Sequence, residues 1–110
     1  NSILINSFFS DKQGKKIHLI KIRISDDITE KLEWKYGDKV NPMYKIDDQM
    51  TFLIVKSDSR GFKLTTDKNK SNSLHFQFMW DRAVPLEKIA LKKINNFAVD
   101  KGKLIFRLEQ

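Results

Sequence analysis

The chain has no cysteine, only two prolines and four glycines in 110 residues, and fewer acids (14) than bases (21). Without thiols it can form neither disulfides nor thiolate zinc sites, which fits an expected cytoplasmic location. No apolar run approaches the roughly 18–20 residues that span a bilayer, so no membrane partner is expected. Ile3-Leu4-Ile5 and Phe8-Phe9 are split by Asn6-Ser7 with no bases before them, which does not read as a signal peptide. Catalytic signatures are also missing: there is no Gly-x-Ser-x-Gly, no Gly-rich phosphate loop and no His-rich metal spacing. The two histidines, His18 and His75, each fall inside a strand-like segment. The carboxylates Asp26, Asp27 and Glu30 are accounted for by helix capping. The expectation is a non-enzymatic protein without cofactor or metal.

What the chain does have is a balance of 40% hydrophobic and 32% charged residues, with eight Phe and two Trp, enough apolar bulk for one folded domain. At this length a domain buries about 65% of its unfolded surface, and a second independent core does not fit. The net charge of +7 is unevenly spread. Between Asp26 and Met50 seven acids face four lysines, a local −3 that leaves +10 on the rest. Such a division gives an acidic side and a basic side, and basic fields attract polyanions.

Alternation of apolar and polar residues marks strands. His18, Ile20, Ile22 and Ile24 share one face of Lys16–Ser25, with Lys21 and Arg23 on the other. Leu74, Phe76, Phe78 and Trp80 alternate in the same way, as do Leu104, Phe106 and Leu108. The nearly continuous apolar run Met50–Lys56 reads as a strand covered on both faces. Shorter strands are expected at Ile3–Phe9, Val40–Ile46, Gly61–Thr65 and Phe97–Val99, with turns at Asp11–Gly14, Asp47-Asp48, Asp58–Gly61, Asp67–Ser73 and Asp100–Gly102. Two helices are expected. The first, Asp27–Trp34, has Asp27 as cap and Glu30 three residues on. The second, Pro85–Lys93, has proline at its start and Lys92-Lys93 in its last turn. The fold class is therefore mainly β, a small antiparallel domain part-closed into a barrel, with Ile20, Ile22, Ile24, Leu32, Phe52, Ile54, Phe76, Phe78, Ile89, Leu104 and Phe106 inside.

The order strand, short helix, Gly37-Asp38 turn and strand from Val40 resembles the AbrB/MazE-type swapped-hairpin family of DNA-binding regulators and antitoxins, over residues 17–56. A degenerate second copy over 74–108 repeats the order, with Thr29–Trp34 aligned over Leu86–Leu91 and with Lys92-Lys93-Ile94-Asn95 where the first has its Gly-Asp turn. Single swapped-hairpin units close one core between two chains; a tandem pseudo-dimer would close it within one, as a monomer or weak homodimer. The resemblance implies transcription regulation through duplex DNA, with Lys21 and Arg23 on the strand that meets the nucleic acid.

Basic residues with that potential are Lys12, Lys15, Lys16, Lys21 and Arg23, then Arg60, Lys63, Lys68 and Lys70 in the Arg60–Ser73 stretch, then Arg82, Lys88, Lys92 and Lys93 on the second helix. Lysine and arginine neutralise phosphates, while neighbouring Ser and Asn donate to the same oxygens. Rings interleave with these charges, among them Phe8, Phe9 and Phe62, and exposed rings beside lysines could stack single-stranded bases. A different class fits the same sequence. Small lysine- and asparagine-rich proteins are common in phage and mobile elements, and the acidic surface 26–48 could capture and inhibit a basic host protein.

Overall fold

The computed structural model describes residues 2–46, 50–66, 73–80 and 88–108. The chain runs β1 (Ile3–Lys12), β2 (Lys15–Ile24), α1 (Asp26–Leu32), β3 (Lys39–Ile46), β4 (Met50–Ser57), β5 (Phe62–Lys63), β6 (Leu74–Met79), β7 (Lys92–Ile94), β8 (Phe97–Asp100) and β9 (Lys103–Leu108). These strands form two antiparallel sheets, sheet A in the order β6-β2-β1-β7 and sheet B in the order β5-β3-β4-β9-β8. The pairing does not close into a barrel. At the β5–β6 side the link between sheets is the isolated bridge Thr65↔His75.

Period-2 alternation builds the core, because every second side chain of a strand points to one face. Ile3, Ile5, Ile20, Ile22, Ile24, Leu74, Phe76 and Phe78 point inward from sheet A, and Val40, Met50, Phe52, Ile54, Leu104, Phe106 and Leu108 from sheet B. All eleven residues expected in the core are buried. In β4 only one face is covered: Thr51, Leu53 and Val55 are half-buried, so the strand is not sealed on both sides as its composition implied.

The first helix starts one residue before and ends two residues before the expected Asp27–Trp34. Ser25, Asp26 and Asp27 are all capping types, and Ser25, in an extended conformation, occupies the N-cap position without a side-chain hydrogen bond to the helix N–H groups. Its hydroxyl donates to Asp27 Oδ1 at 2.5 Å, so Asp27 braces the cap instead of serving as it. Asp26 and Asp27 occupy the first turn, where the helix dipole favours acids. Glu33 ends the helix in the left-handed region (φ 59°), and Ile28, Thr29 and Leu32 are buried.

The second expected helix is corrected where the structure describes it. Lys92–Ile94 is a strand, β7, pairing with β1 through Ile3↔Ile94 and Leu4↔Lys93. Residues 81–87, including Pro85 and Leu86, lie outside the described residues, as do Asp47, Asp48 and positions 67–72. Ile89 is nevertheless anchored: its N–H donates to the buried Ser7 Oγ at 2.6 Å, and its carbonyl accepts the Ser7 N–H at 2.9 Å.

Some pairings of the second half parallel those of the first. Ile22 faces Phe76 and Phe52 faces Phe106, each the same 54 positions apart (22 to 76, 52 to 106). The hairpin pair Tyr44↔Phe52 is paralleled by Phe97↔Phe106, and Ile46↔Met50 by Val99↔Leu104, each with one residue more between the partners. Likewise Asn6↔Lys21 recurs as Thr65↔His75. The exchange between halves is reciprocal: Ile3↔Ile94 and Leu4↔Lys93 correspond to Phe62↔Val40 and Lys63↔Lys39.

Candidate nucleic-acid interface

Because Ile20, Ile22 and Ile24 point inward, Lys21 and Arg23 on β2 must point out, and register decides what flanks them. One row across sheet A reads Lys93, Leu4, Arg23, His75. The next reads Asn6, Lys21, Gln77, and the third Phe8, Leu19, Met79. No Asp or Glu is among these outward residues. The face thus combines three permanent cations and a histidine, amides that donate and accept, and an apolar strip ending in Met79, which is 59% exposed. Lys21 and Arg23 are half-buried.

His75 is positioned through its ring, with Nε2 3.0 Å from Thr65 Oγ1. At the far end of the β1–β2 hairpin the chain turns at Gln13-Gly14, both with positive φ, the geometry of a two-residue hairpin turn. Lys15 pairs with Lys12 and Lys16 with Asp11 at this tip. Lys16 Nζ lies 4.7 Å from the Phe9 ring centroid, and Phe9 stacks on His18 at 4.4 Å. Burial pushes the His18 imidazole below its ordinary value, and its Nε2 has no hydrogen-bond partner among the described residues.

The structure does not gather all the expected basic residues on one face. Lys15, Lys16, Lys21 and Arg23 share the β1–β2 hairpin. Lys63 pairs with Lys39 on the outer side of sheet B, with its ammonium 5.4 Å from the Tyr36 ring centroid, and the exposed Arg60 precedes it, its N–H donating to Ser57 Oγ. Lys68 and Lys70 lie outside the described residues, as does Arg82. Sequence reasoning missed Asn6, Gln77 and the place of His75 and Lys93 in the face. Parity along β1 and β6 could have found Asn6 and Gln77 only once the registers of those strands against β2 were known.

The acidic stretch is partly occupied with local structure. Asp38 accepts the Lys35 N–H at 2.8 Å and pairs with Lys56 at 3.3 Å. Asp27 is held below the usual carboxylate range chiefly by the Ser25 hydroxyl. Asp26, Glu30 and Glu33 are exposed, with Lys31 and Lys35 among them. No helix among the described residues is long and apolar enough to cross a membrane. Comparison of the chain with known protein families, curated proteins and solved structures gives no match.

Proposed function

We propose that this protein is a non-enzymatic regulator that binds duplex DNA by its backbone, through the outer face of sheet A and the β1–β2 tip. The observation that carries the reading is the row pattern on that face: Lys21, Arg23, His75 and Lys93 brought together by register, with no acid among them. Phosphate contacts of this kind orient a protein without reading sequence, and the amides of Asn6 and Gln77 can donate to the same oxygens. The reciprocal register between halves supports a tandem swapped-hairpin pseudo-dimer, and with it the likeness to AbrB/MazE-type regulators. The host-protein reading has less support, since Asp27 and Asp38 are engaged within the chain.

A mobility shift at two salt concentrations, with duplex and single-stranded probes, tests the reading. Charge reversal at Lys21 and at Arg23 should weaken duplex binding across sequences, and each lost contact should flatten the salt slope by about 0.9. Sensitivity confined to Asp26 and Glu30, with Lys21 and Arg23 indifferent, would transfer the working surface to the acidic side. Preference for the single strand would replace the backbone reading with base stacking.

A further inference from the structure

A cleft of about 600 Å³ opens where the second half departs from the first. In the first half β3 runs unbroken, paired with β4 from Lys39 to Ile46. Its counterpart is divided: β7 pairs in sheet A, β8 pairs in sheet B, and Asn95-Asn96 spans the gap. Pairing of β8 with β9 starts only at Phe97↔Phe106, so Arg107 and Leu108 are paired with β4 but not with β8. The cleft occupies this gap. Lys92, Lys93 and Arg107 line it, Lys93 and Arg107 from the outer faces of their sheets, together with Asn95, Asn96 and the half-buried Phe97, which also packs against the core. No acidic side chain is among its described lining residues.

We propose that this cleft binds a nucleoside phosphate. Each part of the ligand has a matching group: phosphate for Lys92, Lys93 and Arg107, an aromatic base to lie against Phe97, and base-edge donors and acceptors for the two asparagine amides. The size falls within the roughly 300–1,000 Å³ of small-ligand clefts. The same chemistry comes from two sources, a free nucleotide or the unpaired end of a polynucleotide strand. The site adjoins the duplex-binding face and shares Lys93 with it.

Amide NMR spectra of the full chain, titrated with 5′-AMP, with inorganic phosphate, with a blunt duplex and with that duplex carrying a single-stranded 3′ extension, test the proposal. AMP should shift the amides of residues 92–98 and 105–108 saturably, and inorganic phosphate, lacking the ring, should bind about tenfold more weakly. Arg107→Gln and Asn96→Ala should each weaken AMP, with Lys92→Glu added to Arg107→Gln costing at least about tenfold; the retained spectral dispersion reports that each variant is folded. Lys21→Glu should leave AMP binding unchanged while weakening the blunt duplex, which keeps the two sites' fates separate. A strand end as the source predicts that the extended duplex engages the cleft at lower concentration than AMP; a free nucleotide as the source predicts that the extension adds nothing. Equal binding of phosphate and AMP, no saturable cleft shift with AMP, or indifference to Arg107→Gln would overturn the proposal.

Discussion

Phe52 and Phe106 meet at the midpoint of the β4–β9 pairing, with ring centroids 5.2 Å apart and both side chains almost wholly buried. Truncation of either to alanine removes a full aromatic side chain and leaves a cavity that the surrounding strands cannot refill without breaking register. Phe→Ala in such a site costs about 3–5 kcal/mol. A domain of this length has a total stability of roughly 5–15 kcal/mol, so either change should consume a large part of it. Urea unfolding followed by tryptophan fluorescence should show the midpoint falling with an unchanged slope. The melting temperature should drop by on the order of 15–25 °C. A milder cycle with Phe52→Leu and Phe106→Leu isolates the ring pair, whose geometry contributes about 0.5–1.5 kcal/mol beyond area burial. Single alanine variants costing less than about 1.5 kcal/mol, or leucine variants that add with no coupling, would refute the placement of these rings at the join between halves.

Acid should weaken the fold through His18: burial holds its imidazole below the ordinary 6.5, so its contribution is complete above that value and declines as pH falls through 6.5 toward the folded value. Melting temperatures measured from pH 7.5 to 5 should show this decline, and His18→Phe should reduce it. Gly61 has φ +141°, and a Cβ there would lie 2.7 Å from the Val40 carbonyl oxygen, so Gly61→Ala should destabilise by more than about 1 kcal/mol, read by chemical denaturation and by faster amide exchange at Phe62 and Lys63. Because the core closes within one chain, sedimentation at micromolar concentration should give a monomer or a weak dimer; a dimer that separates only on unfolding would contradict the intramolecular pairing.

The strands that alternate cleanly were legible from sequence because half-burial leaves a signature in side-chain type. Ile20, Ile22 and Ile24 against Lys21 and Arg23 could only sit one way up, and Phe76 and Phe78 against Gln77 likewise. β7 was not legible. Lys92-Lys93-Ile94 carries a single buried residue, follows a segment with helical spacing, and takes its place from a partner strand some 90 positions earlier, Ile3 against Ile94. Local pattern cannot report a pairing whose energy comes from across the sheet. The candidate face divides in the same way: Lys21 and Arg23 follow from parity, whereas His75, Gln77 and Lys93 join them only through register, which no single segment encodes.

The reciprocal exchange of strands also constrains how the chain reaches its fold. β1 and β2 can form a hairpin as soon as residue 24 exists, but the other neighbour of β1 begins at Lys92 and that of β2 at Leu74. During synthesis from the amino terminus this hairpin therefore waits with both outer edges unpaired and its Ile-rich face uncovered, a state prone to pairing with other chains. Contacts of such long sequence separation bring their loop-closure cost before their reward, which places folding toward the slow end for a domain of this size. Like charges on the lysines at 12, 15, 16 and 21 oppose the edge-to-edge pairing to which such a hairpin is open.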